Sequence, residues 1–355
     1  MYKIGYFIES FFPNIGGAET RALKILSNIK SFNVNVYTIN FGYPEKEKLR
    51  NININRIINA DVRSYFKNDG RNLLISYKFA RNVGKILKNE DFDIYIFDQF
   101  PYIHFNFNVK HLKYKKKLVQ FHEILKGYYG NGIKEKMLEI LENNMFSNAD
   151  YNIALSEYNA NLLNKSYGIK MNKILVIPNG VDYVKKIEKK GKNIIYVGRN
   201  TKAKNLTAIF ELAKILKDMQ FVLVTDTNDH LDNVTVKKSL DAKALEEEYS
   251  NSCIYITTSI REGFSIASLE AMSHGLPVIY LKSPFNKSLE SIVKDNYNGF
   301  GCNSINEMAE KIRYIYKNDS EWEKMSENAY KFASNFLWEN IAKDYENKLL
   351  SMVKE

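Results

Sequence analysis

Glu262 and Glu270 stand eight positions apart in the stretch 259–279, and residue types around them could do chemistry on an oxygen-rich ligand. Gly263 permits a tight turn, and Ser265 suits the N-cap of a short helix that carries Glu270. Gly275 and Pro277 end that helix, and a strand opens at Val278. Steps of about 100° per residue place Glu270 between Ile266 and Ala267, so its carboxylate needs a partner such as a hydroxyl. The amides of Phe264, Ser265 and Ile266 at the helix start form a ready site for a phosphate or another electron-rich oxygen. A solvent-facing pair of glutamates, one favouring the helix dipole, explains the same spacing without chemistry.

Arg199 and Lys204 lie after an apolar strand at 193–197. A planar guanidinium fork and a compact ammonium together neutralise a diphosphate without a metal; a solvated basic loop is the plainer reading. His122 ends the strand 118–121, where a histidine is either structural or in reach of a ligand. Gly16 and Gly17 follow the first strand, 3–8, and let backbone approach a ligand closely, as in an ordinary strand-to-helix turn. The dinucleotide pattern G-x-G-x-x-G is absent there.

The elements that must position these groups alternate. Strands are expected at 34–38, 94–97, 152–155, 174–177, 221–224 and 253–257. Helices are expected at 73–87, 133–146, 238–249, 305–316, 321–332 and 338–353, and Asn298-Gly299 reads as a turn. This pattern belongs to an α/β protein with parallel sheets, whose ligands sit beyond the carboxyl ends of the strands.

Glu262-Gly-Phe-Ser-Ile-Ala-Ser-Leu-Glu270 resembles the E-x7-E signature of the retaining GT4 glycosyltransferases. The resemblance extends to Gly16-Gly17-Ala18-Glu19, to Ile177-Pro-Asn-Gly-Val-Asp182, and to Val197-Gly-Arg199 with Lys204. Two positions depart from the family pattern. Asn205 replaces the usual glycine, and Glu123 follows His122 where aspartate is common. The resemblance implies a GT-B fold, two facing Rossmann-like domains with parallel sheets and an interdomain cleft. Its domains would be 1–184, a linker at 185–192, a nucleotide-sugar domain at 193–335, and a helix at 336–355 returning to the first domain.

It further implies transfer of a sugar, with retention, from a nucleotide-sugar donor (a UDP-sugar before others) to an acceptor hydroxyl on a glycan or lipid-linked molecule, in cell-surface polysaccharide or glycolipid synthesis. Arg199, Lys204 and the Gly17 amide would meet the diphosphate, with Gly16 and Gly263 to Ile266 around the donor. Glu270 would hold the ribose, Glu262 the donor sugar, and His122 would contact the sugar or the acceptor. No cofactor or metal is expected. A sugar-nucleotide 2-epimerase, a non-catalytic nucleotide-sugar-binding subunit and a glycogen-synthase-like polymerase share parts of this pattern.

The chain of 355 residues fits two domains, and a net charge of +10 with a pI near 9.1 suits phosphate-bearing partners or an anionic membrane surface. Its densest basic run is His111-Leu-Lys-Tyr-Lys-Lys-Lys117. Nothing suggests nucleic acid binding. Asp226 and Asp229 lack metal-binding D-x-D spacing, and Cys253 and Cys302 suggest neither a disulfide nor a metal site. No apolar run approaches membrane-spanning length, so the expected location is cytoplasmic, peripheral on the inner membrane face.

Overall fold

The computed structural model describes all residues except 15, 68, 69, 129, 131, 184, 186, 188, 189 and 355, and of residue 67 only the backbone. The chain divides into two compact units, Met1–Asn179 with the stretch from Trp338 onward, and Gly180–Leu337.

The first unit is built on strands β1 (Tyr2–Ile8), β2 (Phe32–Asn40), β3 (Lys46–Leu49), β4 (Ile52–Asn59), β7 (Ile94–Asp98), β8 (Lys117–Gln120), β9 (Tyr151–Ala154) and β10 (Ile174–Val176), with a small hairpin of β5 (Phe66–Lys67) and β6 (Gly70–Arg71) outside the sheet. Their order is β10-β9-β8-β7-β1-β2-β4-β3, parallel except for the β3 edge. Helices α1 (Gly17–Leu26), α2 (Val62–Tyr65), α3 (Leu73–Asn89), α4 (Ile103–Asn106), α5 (Ile133–Asn148), α6 (Glu157–Tyr167) and, at the far end of the chain, α12 (Trp338–Lys354) complete the unit.

Right-handed crossovers explain the layering. The connections through α3, α4, α5 and α6 step one way along the sheet and share one face, where each packs on the next. The connection through α1 steps the other way, and α12 packs on α1. Central strands covered on both faces are near-continuous apolar runs, and in β7 Ile94 to Phe97 form such a run, every residue of the strand being buried up to the carboxylate Asp98 that ends it. On one face Phe7 stacks on Tyr37 at 5.2 Å and on Phe97 at 4.9 Å, each its in-register neighbour on an adjacent strand. Truncating such a ring to alanine typically costs about 3–5 kcal/mol.

The second unit carries β11 (Asn193–Val197), β12 (Gln220–Val224), β13 (Val234–Lys237), β14 (Ser252–Thr257), β15 (Val278–Leu281) and β16 (Gly299–Cys302), all parallel in the order β13-β12-β11-β14-β15-β16. Its helices are α7 (Leu206–Ile215), α8 (Ala242–Ser250), α9 (Ile266–Ser273), α10 (Ile305–Lys317) and α11 (Asp319–Ala333).

Three details differ from the sequence reading. The helix expected from 238 starts at Ala242, because Ser239 has φ 52 and Asp241 caps the helix by accepting from Ala244 N–H at 2.8 Å. Gly299 opens a strand instead of closing a turn; a Cβ there would stand 1.9 Å from the Val278 carbonyl oxygen, so only glycine allows β16 to pair so closely. Strand β4, the edge strand β3 beside it and the edge strand β13 of the second sheet join the sheets beyond those anticipated. The division into units falls at Asn179/Gly180, ahead of the stretch 185–192. Of that stretch 186, 188 and 189 lie outside the described residues. The Lys185 and Ile187 N–H groups donate to the Ser273 and His274 carbonyls, so those two residues run along the end of α9.

Candidate functional site

In the second unit the candidate residues gather at the carboxyl ends of β11 and β14. The loop after β11 carries Arg199, exposed, and Lys204, half-buried. At its end Asn205 adopts φ 52, ψ 52, the left-handed region in which glycine is unstrained and asparagine is better tolerated than most residues. This accounts physically for asparagine standing at the usual glycine position. The end of β14 clamps the loop: Thr258 Oγ1 donates to the Lys204 and Asn205 carbonyls at 3.1 and 2.9 Å, and Ile260 N–H donates to the Ala203 carbonyl at 2.8 Å.

That clamp brings Lys204 Nζ to 2.5 Å from Glu262 Oε2. Glu262 is itself fixed through its backbone, its N–H donating to the Phe285 carbonyl at 3.1 Å while Ser288 Oγ donates to its carbonyl. Burial, and then the charge of Glu262, push the Tyr196 phenol well above its ordinary range, with Arg199 opposing. Glu262 and Arg199 therefore both bear on the same point at the end of β11.

Helix α9 starts as expected. Ser265 Oγ accepts from Ser268 N–H at 3.2 Å, and Gly275, at φ 79, follows its last turn. Gly263 takes no such backbone angle; with Phe264 and Ser265 it is buried, and the Phe264 ring packs on Phe336 at 6.3 Å. Ile266 begins the helix, half-buried. Glu270 is half-buried as well, and the hydroxyl it required is Tyr249, whose OH donates to Oε2 at 3.5 Å. The Tyr249 ring stacks on His274 at 4.9 Å. Burial lowers the His274 pKa, which favours the neutral ring.

In the first unit the candidates again stand at strand carboxyl ends. Gly16 precedes α1, its carbonyl accepting from Thr20 N–H at 2.8 Å. The buried Glu19 folds back over it, so that a Cβ on Gly16 would lie 2.4 Å from Glu19 Oε2. Around Gly17 a Cβ would meet open space. His122 follows β8, half-buried, with Nε2 at 2.7 Å from Asp98 Oδ1.

Asp98 was not singled out from the sequence. It ends β7 fully buried and accepts from Tyr6 OH at 2.5 Å, Gln120 Nε2 at 2.9 Å and Gln99 N–H at 2.6 Å. Burial alone would raise its pKa, but His122, Tyr6 and Arg21 outweigh that and hold it below the ordinary value. Arg21, equally buried, donates to the Ile177 and Pro178 carbonyls and to Asn179 Oδ1 at 2.9, 2.6 and 3.0 Å, which fastens the Ile-Pro-Asn segment to α1. The available signal was a carboxylate ending an apolar strand, the same kind of signal that marked His122.

Comparison with known proteins agrees over most of the length. Residues 15–185 match Glycosyltransferase Family 4, and residues 182–332 match Glycosyl transferases group 1. An uncharacterized glycosyltransferase of Haemophilus influenzae is 23% identical over 98% of this chain and 100% of its own. Four further curated relatives are matched over short segments; the chain's match spans 13% to 25% of their length. Sucrose-phosphate synthase from Thermosynechococcus elongatus superposes with a TM-score of 0.79 at 15% identity, over 99% of both chains. Anabaena HepE, solved in complex with UDP and glucose, gives 0.74 at 17% identity over 99% of this chain and 100% of that one. The two families matched in succession and the shared architecture give one conclusion: the chain is a GT-B glycosyltransferase of the GT4 family.

Proposed function

We propose that this transferase moves a sugar, with retention, from a UDP-sugar to an acceptor hydroxyl on a glycan or lipid-linked molecule in cell-surface polysaccharide or glycolipid assembly. The observation that carries the donor half is the Lys204–Glu262 pair at 2.5 Å, with Arg199 on the same clamped loop and the start of α9 three residues after Gly263. A lysine already neutralised by a carboxylate can exchange that partner for a phosphate oxygen, which frees Glu262 to accept from hydroxyls of the donor sugar. The binding of UDP by a similarly folded protein supports uracil as the base.

In this reading Arg199, Lys204 and the amides of Phe264, Ser265 and Ile266 stabilise charge growing on the departing diphosphate, which is where preorganised donors accelerate a reaction most. Glu270 holds the ribose hydroxyls. The Gly16-Gly17 loop offers the Gly17 amide to the diphosphate, and His122 meets the sugar or the acceptor. The bond from the anomeric carbon to phosphate oxygen breaks, and a bond to the acceptor oxygen forms on the same face. The acceptor proton passes to the departing phosphate oxygen, so no protein nucleophile is required. The basic pair supplies the charge neutralisation that a metal gives elsewhere.

A melting panel with UDP, GDP, CDP and ADP in the presence of EDTA tests this. UDP should give the largest shift, about 2.7 kcal/mol of stabilisation at a hundred times its dissociation constant. A larger shift with GDP would reassign the donor. A shift that appears only with added metal, or none with any nucleotide, would overturn the reading.

A further inference from the structure

The first unit leaves large apolar side chains in water on one continuous path. Leu73 and Leu74, in the first turn of α3, are 60% and 74% exposed. Tyr77 is one helical turn on, and its ring meets that of Phe107 at 5.3 Å. Beside Phe107, Asn106 Nδ2 donates to the Leu141 carbonyl of α5 at 3.2 Å, and Leu141 adjoins Ile140. From Ile140 the path returns along α5 through Met137 to Ile133, spaced by three and four residues, with exposures of 68%, 60% and 81%.

These helices lie on the same face of the sheet, and in parallel crossovers their first turns stand at the carboxyl ends of the strands, the end that carries His122 and Asp98. Isolated exposed apolar residues need no explanation, but a joined row of this kind marks a contact surface.

Charge distinguishes the occupant. Helix α3 carries Lys78, Arg81, Lys85 and Lys88 and no acidic residue, and Lys134 and Lys136 flank the α5 row, exposed. Of the acidic residues of α5, Glu135 and Glu142 are turned inward and buried and Glu139 is half-buried, so the exposed charges beside the row are the lysines. Apolar side chains set among cations are the chemistry of a surface that lies in the headgroup region of an anionic bilayer. The basic run singled out from the sequence stands elsewhere, leading into the amino end of β8, where Lys115 is paired with Asp91 and Lys117 with Asp150. Among the described residues no helix is long and apolar enough to cross a membrane.

We infer that the first turns of α3 and α5, joined through Tyr77 and Phe107, form a docking face for an anionic lipid bilayer. The inference rests on the proposed lipid-linked or surface-glycan acceptor, since it would bring the His122 end of the first unit toward membrane-borne substrate.

Flotation of the full chain with vesicles tests it. The protein should float with phosphatidylglycerol-containing vesicles, more weakly at high salt, and little with pure phosphatidylcholine. The pair Leu74→Asp with Ile133→Asp should lower partitioning by at least about tenfold, since each replaces an apolar side chain that would enter the bilayer with a charge the anionic headgroups repel. The pair Lys113→Glu with Lys116→Glu, in the other basic run, should lower it far less. The far-ultraviolet spectrum, melting temperature and nucleotide-induced melting shift should be unchanged in both pairs. That shift also reports the donor site without lipid, so failure of the docking face is distinguishable from failure of the functional reading. Equal flotation of wild type and the α3/α5 pair, or no flotation of either, would overturn the inference. So would a wild-type dimer in light scattering that the pair dissociates, which would assign the face to a second copy.

Discussion

His122 Nε2 and Asp98 Oδ1 are 2.7 Å apart, and the carboxylate is fully buried while the imidazole is half-buried. Ionised Asp98 can only accept, so the ring nitrogen facing it carries the hydrogen, and in the neutral ring Nδ1 is left as an acceptor for a hydroxyl. The pair thus sets which atom of His122 a sugar or acceptor would meet.

Replacing Asp98 with asparagine removes the charge and keeps the size. Turnover should fall by about ten- to a hundredfold, by analogy with the loss seen when the partner that orients a metal-bound histidine is removed. Nitrogen NMR of the wild type should show the Nε2–H form. Asp98 titrates below its ordinary 3.8, so it contributes stability that is present above that value and is lost as pH falls through its lower folded value. That acid loss should be smaller in Asp98→Asn; an Nδ1–H ring together with unaltered turnover would refute the assignment.

Asn205 makes a sharper backbone test. At φ 52, glycine should be accepted within about 0.5 kcal/mol, whereas Asn205→Val should cost ~1–2 kcal/mol and lower melting by roughly 2–4 °C for each kcal/mol. Because Lys204 precedes it directly, the valine variant should also weaken nucleotide binding. Equal stability of the two variants would contradict the left-handed strain.

Glu142 supplies a pH dependence of opposite sign. Burial raises its pKa to about 7; Tyr167 OH at 2.6 Å and Leu125 N–H at 3.0 Å oppose the rise, and Glu135 and Glu123 add to it. The folded state therefore holds a proton that the unfolded chain releases near 4.5. Stability from this group is full below that value and is lost as pH rises to about 7. Melting of the wild type should drop by a few degrees across that window relative to Glu142→Gln. Parallel curves for the two proteins would remove Glu142 as the cause.

The parallel α/β architecture was legible because fully buried strands are apolar runs, as in Ile94-Tyr-Ile-Phe97, and because Ser265, Gly275 and Pro277 punctuate α9 by chemistry that acts locally. Strand β4 was legible in principle, since Ile52 and Ile54 alternate with asparagines, but a polar-rich stretch does not reveal its partners. Asp98, Tyr6 and Arg21 are a different case. Tyr6 and Arg21 stand 92 and 77 positions from Asp98 in the chain, and only folding gives a carboxylate ending one strand the hydroxyl of another and a helix-borne guanidinium. The Lys204–Glu262 pair, 58 positions apart, was likewise readable as two residues and not as a contact.

That pair underlies the central claim, that the loop after β11 holds a diphosphate. Calorimetric titration of UDP and UMP into wild type and Lys204→Ala addresses it directly, because the two ligands differ only in the phosphate the loop is proposed to bind. A charge-assisted hydrogen bond of ~1.5–3 kcal/mol predicts that wild type prefers UDP by about ten- to a hundredfold and that the preference largely disappears in Lys204→Ala. Equal affinities of the wild type for UDP and UMP, or an undiminished preference in the variant, would contradict the account.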